Sequence, residues 1–264
     1  MRVLVCAKQV PEVTDVQVDP ETGTLNRDGV ASILNPFCEY AMDLALDLKE
    51  GLDDVEIVVL SMGPPQARAA LMRCLEMGAD RAILVTDRRF AGADTWATAL
   101  TISKIVEKLD KVDLILVGKH AIDGDTAQVG PELAECLNIP QVTYAVGLEL
   151  DEKRRHVRVR RETDRGHQVV QMRLPGLISV SKGAALRRVC SFQDILEARR
   201  KELVTMTADD LGVEESELGL KGSLTQVVKI FPPMEREAGR VVDGTNPPLA
   251  ARQVVEFLKD KHFV

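Results

Sequence analysis

Short apolar runs alternating with amphipathic segments predict an α/β protein, built on a mainly parallel sheet covered by helices on both faces. Three observations carry that prediction. The runs Val3–Val5, Val55–Leu60, Ala82–Val85 and Leu114–Val117 are strand-length and apolar throughout, as strands buried on both sides must be. The segments 35–49, 64–77, 94–109 and 126–137 lie between and after them, and several repeat their apolar residues at helical spacing. From about Gln141 the texture changes to alternation. Val157 and Val159 oppose Arg158 and Arg160, and Val169, Gln171 and Arg173 alternate similarly, which predicts antiparallel strands added at the sheet edge.

Taken in order, the opening Met1-Arg2-Val3-Leu4-Val5 reads as a strand and not as a signal peptide. The first helix has Asn35 at its cap and Pro36 at its first position, with Phe37, Tyr40, Ala41, Leu44, Ala45 and Leu48 on one face. The second places Ala67, Ala70, Leu71, Cys74 and Leu75 inward and stops at Gly78. Asp94 caps the third. For the fourth, Asp125 is the expected cap and Gln128 its capping-box partner, while Pro131 predicts a kink or a late start. A polar helix follows over 191–201. The tail from about Leu224 to Asn246 holds Pro232-Pro233 with little periodicity and leads through Pro247-Pro248 into a short helix, Leu249–Lys259. Such a tail has no core of its own, so it is expected to lie on a partner. The organisation read from this is a nucleotide-binding α/β domain over 1–190, a partner-recognition helix and loop over 191–223, and an arm over 224–264.

Composition narrows the function. The 264 residues suffice for one sizeable core plus an appendage. A net charge of −7 and 3% aromatic residues argue against nucleic-acid binding. Cys6, Cys38, Cys74, Cys136 and Cys190 show neither metal-ligand nor redox spacing, which suggests reduced thiols in a cytosol; no metal is expected. No apolar run approaches membrane-spanning length, so the expectation is a soluble, cytoplasmic protein. His120, His156, His167 and His262 have no Ser or Cys partner in motif spacing, so no catalytic residue is expected, and neither a Walker loop nor a Gly-rich dinucleotide fingerprint is present.

In an open parallel sheet, ligands sit beyond the carboxyl ends of the strands, near the switch in strand order. Four loops leave those ends: Cys6–Gln9, with the excursion that closes at Asn35–Cys38; Ser61–Pro64; Asp87–Asp94, with a Gly92 hinge; and Gly118–Val129. The last passes from strand to helix and offers backbone amides and a helix dipole to a phosphate. By themselves these residues are equally consistent with an ordinary α/β turn. Met62 reads as a pocket wall, and Cys6 and Cys38 as small packed thiols.

The order of several motifs resembles the β subunit of electron transfer flavoproteins over nearly the whole chain. Arg2–Pro11, Leu34-Asn35-Pro36-Phe37-Cys38-Glu39, Ser61–Pro64, Met77–Arg81, the Gly118–Val129 loop and the stretch Val159–Gly166 through Leu174–Val180, which looks like the family's signature hairpin, follow in the family's sequence. Arg165 departs from the small or acidic residue usual there. The resemblance implies a Rossmann-like, adenine-nucleotide-hydrolase-like sheet and an α-subunit partner that holds the electron-carrying FAD. It carries nucleotide contacts over to Cys6, Asn35, Pro36, Phe37, Cys38, Met62, and Gly118, Lys119, His120, Ala121, Ile122, Asp123, Gly124, Asp125, Thr126, Ala127, Gln128 and Val129. The run Asp123-Gly124-Asp125-Thr126-Ala127-Gln128 is similar to the loop of electron-bifurcating members, in which the β subunit holds its own FAD and takes hydride from NADH. Phe90–Thr98 also resembles that form, adding Asp94, Thr95 and Thr98 as cofactor contacts and Phe90 and Gly92 as the NADH approach. Electrons would pass to the α-subunit FAD, to a flavin dehydrogenase acting on acyl-CoA or a hydroxy acid, and to ferredoxin or flavodoxin. Phe192 stands where the family presents a partner-recognition residue. The alternatives are an ordinary member whose pocket holds AMP, and a free-standing nucleotide sensor, which the unsupported tail disfavours.

Overall fold

The computed structural model describes residues 1–12, 31–151, 153–228, 239 and 241–264. In chain order the strands are β1 (Arg2–Cys6), β2 (Gln9–Pro11), β3 (Ser32–Leu34), β4 (Glu56–Met62), β5 (Arg81–Val85), β6 (Leu114–Gly118), β7 (Gln141–Leu150), β8 (His156–Thr163), β9 (Gly166–Arg173), β10 (Gly176–Val180) and β11 (Leu203–Met206). The helices are α1 (Pro36–Gly51), α2 (Arg68–Met77), α3 (Thr95–Lys108), α4 (Val129–Cys136), α5 (Phe192–Ala198), α6 (Ala208–Leu211), α7 (Gly219–Gly222) and α8 (Pro247–Asp260). The chain forms a body, Met1–Val228, and a second unit, Lys229–Val264.

The body is a doubly wound α/β sheet with strand order β11-β5-β4-β1-β6-β10-β7-β8-β9. Pairing is parallel from β11 to β7 and antiparallel at β7–β8 and β8–β9. The continuous apolar runs follow from burial on both faces. Val3, Val5, Ile57, Val59, Leu114 and Leu116 join Ala41, Met42, Leu71 and Leu75 of α1 and α2 in one core. Leu4, Val58, Leu60, Ile115 and Val117 join Ile102 and Ile105 of α3 and Leu133 of α4 in the other. Strand order reverses between β4-β1 and β1-β6, which sets the crevice at the carboxyl ends of β1 and β6.

Helices α1, α2 and α3 form where their patterns place them. Gly78 closes α2 at φ +126°, and the Asp94 carboxylate accepts from the Ala97 N–H at 2.9 Å to cap α3. Three elements differ from expectation. Gly176–Val180, read as part of a hairpin, is instead a parallel strand inserted between β6 and β7 and buried along its whole length. The four-residue β11 adds a parallel edge beyond β5 within 191–223, a segment that showed no strand signal, and Leu211 and Leu218 after it enter the second core. Helix α4 starts late, at Val129, one of the two outcomes foreseen for Pro131. The Asp125–Gln128 capping box does not form, because Asp125 and Ala127 turn through left-handed backbone at φ 52° and 55° and Gln128 makes no side-chain cap.

In the second unit, Asn246 accepts from the Leu249 N–H at 3.4 Å and starts α8, whose Leu249, Val254, Val255 and Phe257 are exposed. Pro232-Pro233 lie outside the described residues. No helix among the described residues is long and apolar enough to cross a membrane.

One core position carries a charge. Asp43 on α1 is 1% exposed, and among the described residues no side chain donates a hydrogen bond to its carboxylate. Burial pushes its carboxyl up to about 6, against the smaller downward pull of Arg188. A carboxyl raised in the folded state disfavours folding above that pKa, and the penalty disappears as pH falls from about 6 toward the unfolded value near 4. Asp43→Asn should therefore stabilise the protein by about 1–3 kcal/mol at pH 8 and by little at pH 4. Denaturant titrations at the two pH values measure it, and equal effects at both would contradict the assignment.

Candidate functional site

The loop after β6 is bound to the start of α1 by one buried side chain. Asn35 does not cap its own helix; its carbonyl accepts the Cys38 and Glu39 N–H groups instead. That frees the carboxamide to cross to the loop, where Nδ2 donates to the His120 carbonyl at 2.9 Å and Oδ1 accepts from the Ile122 N–H at 3.2 Å. Its own N–H donates to the Lys8 carbonyl, so β1, α1 and the loop meet at a residue 1% exposed. Gly118 makes the approach possible, because a Cβ there would stand 2.9 Å from the Phe37 carbonyl carbon and 3.1 Å from the Cys38 nitrogen. The Phe37 and His120 rings pack at 4.4 Å between centroids.

Beyond His120 the loop turns on itself. The Asp125 and Gly124 N–H groups donate to the Ala121 carbonyl, at 2.8 and 3.3 Å. Lys8 pairs with Asp123 at 2.8 Å, and His120 Nε2 lies 3.3 Å from Asp125. Both loop carboxylates thus have a cationic or protonatable neighbour. Lys119 lies over the Tyr144 ring at 5.0 Å. Thr126, Ala127 and Gln128 then lead into α4, whose N-terminus has no side-chain cap, leaving its first amides to solvent or to an anion.

The remaining expected residues surround this loop to different degrees. Cys6 and Cys38 interact across the base of the crevice; burial pushes the Cys6 thiol up to about 12 and the Cys38 thiol up as well, so both stay protonated. Met62 ends β4, half-buried. Thr95 Oγ1 donates to Glu132 Oε1 at 3.1 Å, joining the starts of α3 and α4, and Thr98 is half-buried one turn along α3. Phe192 is on α5, which packs on α2, and is 76% exposed. Lys8 lies in the Cys6–Gln9 loop expected at the crevice, whereas Tyr144 and Glu132 were not foreseen and no motif marked them.

The 87–94 loop meets chain that is distant in sequence. Phe90 is 6% exposed and belongs to the second core. Gly92, at φ +76°, faces Leu220, whose Cβ would be 3.2 Å from an added Cβ. Asp94, besides capping α3, accepts from the N–H and hydroxyl of Thr225. Residues 219–225 thus contact this loop through Leu220 and Thr225, while Ala91 and Gly92 stay exposed. Two surface concavities lie away from the loops, one at the opposite end of the sheet beside Ile115 and Gly176, the other beside Glu50 and Arg188. The loop geometry marks the candidate site.

Asn35→Ala should cost about 2–4 kcal/mol, because it orphans a buried carbonyl and a buried N–H. Gly118→Ala should cost about 1–3 kcal/mol by forcing α1 and the loop apart. Chemical denaturation checks both, and a loss below about 0.5 kcal/mol in each would show that the junction does not hold the loop.

An electron transfer flavoprotein domain matches residues 22–211 of this chain. The chain is 42% identical, over the full length of both, to the caffeyl-CoA reductase-Etf complex subunit CarD of Acetobacterium woodii. It is 45% identical, again over both full lengths, to the electron transfer flavoprotein subunit beta of Clostridium acetobutylicum. Protein FixA of Azorhizobium caulinodans is 41% identical, with 98% of this chain and 94% of that one covered. Matches of this extent, on a doubly wound sheet with a stitched loop at its switch point, place the chain in the electron transfer flavoprotein β-subunit family.

Proposed function

We propose that this chain binds FAD at the Gly118–Val129 loop and, paired with an α subunit, accepts hydride from NADH in an electron-bifurcating complex. The observation that carries the reading is the stitched loop ending at the uncapped start of α4. Its donor set suits a diphosphate: backbone amides around Thr126–Gly130, a helix dipole, and Lys8 and Lys119 close by. The loop carboxylates would oppose an anion if bare, and the pairing of Asp123 with Lys8 lessens that cost. Relatedness over full length to a subunit of a caffeyl-CoA reductase-Etf complex supports the bifurcating form.

In this reading Asn35–Cys38 and Cys6 line the base of the site, Met62 forms a side wall, and Gly118–Val129 holds the phosphates. Bound there, FAD would supply the two-electron to one-electron conversion. The residues position it: Asn35 fixes the loop, Gly118 keeps α1 close, and the protonated Cys6 and Cys38 offer no thiolate to divert electrons. One electron would continue to the α-subunit FAD and a flavin dehydrogenase acting on acyl-CoA or a hydroxy acid, the other to ferredoxin or flavodoxin. The second unit, with the exposed apolar residues of α8, would lie on the α subunit.

Acid extraction of the purified αβ complex tests the cofactor. A second FAD per heterodimer with little AMP is expected. One FAD accompanied by one AMP would assign the chain to the form with a structural nucleotide.

A further inference from the structure

The chain between β11 and the end of the body forms a strap across the 87–94 loop. Ala208 N–H donates to Asp87 Oδ2 at 3.2 Å, and Arg89 pairs with Asp209 at 2.8 Å. Leu220 N–H donates to the Ala91 carbonyl at 3.1 Å. Gly219, at φ +54°, passes so near that a Cβ would stand 2.1 Å from the Arg89 carbonyl oxygen, so only glycine fits there. The strap ends on Asp94. The Asp94 N–H donates to Ser223 Oγ at 2.8 Å, and Asp94 Oδ2 accepts from the Thr225 N–H at 2.8 Å and the Thr225 hydroxyl at 2.9 Å. The other oxygen, Oδ1, holds the Ala97 N–H at the start of α3.

One carboxylate therefore serves two elements. Burial by itself would push the Asp94 carboxyl up, but the donated hydrogen bonds from Ala97 and Thr225 hold it below the usual range. A carboxylate so engaged is a poor phosphate ligand, because its acceptor sites are taken and its charge opposes the anion. The next residue extends the connection: Thr95 bonds Glu132 on α4, the helix whose start closes the Gly118–Val129 loop. Thr225 lies just before Val228, where the body ends.

We propose that Asp94 is a positioning residue that ties the root of the C-terminal segment to the start of α3, so that docking of this segment on the α subunit and ordering of the nucleotide loop are one coupled event. The inference rests on reading that loop as the nucleotide site. Coupling of this kind is reciprocal: a partner that orders the segment lowers the cost of ordering the site, and a bound nucleotide favours the partner by the same factor.

Hydrogen exchange in the intact αβ complex tests it, read on the amides of 95–98 and of 219–226. Asp94→Asn keeps an acceptor for the Ala97 N–H while presenting an amide to Thr225, so it opposes the strap and spares the cap. Ser223→Ala with Thr225→Val weakens the same link from the other side, removing the Thr225 hydroxyl that donates to Asp94 and the Ser223 hydroxyl that accepts its N–H, without touching α3. Both should speed exchange at 95–98 by roughly tenfold or more, the loss expected for bonds to a charged acceptor, and lower the nucleotide retained on the β subunit. Faster exchange at 219–226 alone, with 95–98 and nucleotide content unchanged, would overturn the proposal, as would an unchanged strap. The nucleotide retained is counted as FAD plus AMP, so an AMP-containing protein would refute the cofactor assignment and leave this test intact.

Discussion

The architecture at the switch point depends on a side chain that declines its usual task. Asn35 is a strong helix-capping residue type, yet its carboxamide spans to the His120 carbonyl and the Ile122 N–H. The helix start is served by the Asn35 carbonyl and by Pro36, whose missing N–H needs no partner there. Burying a carboxamide is tolerable because donor and acceptor are both satisfied. Asn35 thus ties together the Lys8 carbonyl just after β1, the start of α1 and the loop after β6. Gly118 permits the contact and Asn35 holds it, so neither would suffice alone.

From that junction the loop can be long and still defined. It contains left-handed turns at Asp125 and Ala127, which cost conformational energy for residues with a Cβ. The turns carry the chain into α4 with its first amides uncapped, and the same end of α4 is joined to α3 through Glu132 and Thr95. On the other side of α3, Asp94 receives the strap that ends the body. Loop, helix ends and the departure of the C-terminal segment are thus neighbours in a chain of hydrogen bonds.

Much of this is legible in the sequence, for physical reasons that differ by element. Strands buried on both faces write themselves as unbroken apolar runs, so β1, β4, β5 and β6 are readable. Amphipathic spacing with Asn35-Pro36, Gly78 and Asp94 marks α1, α2 and α3. Strand β11 is not readable, because four half-exposed residues carry no period and gain their place only by pairing with β5. Strand β10 is readable as a strand but not as an interior one, since adjacency in sequence to β9 suggests a hairpin and the chain instead crosses to β6. The start of α4 fails because Asp125 resembles a cap and lies in left-handed backbone. At the site, residue types point to Asn35 and to the 118–129 loop separately; that they bond to each other is a tertiary fact. The small residues of Phe90–Asp94 suggest room for a nucleotide; that Leu220 and Thr225, distant in sequence, also contact this loop is again a tertiary fact.

On the proposed reading, the stitched loop holds a redox-active flavin within reach of NADH. Anaerobic stopped-flow mixing of the αβ complex with NADH, followed by visible absorbance, addresses it directly. Rapid bleaching of flavin absorbance is expected, slowed or abolished when Asn35→Ala releases the loop in a protein that remains folded. A complex whose flavin absorbance is unmoved by NADH, in the intact protein as in the variant, would contradict it.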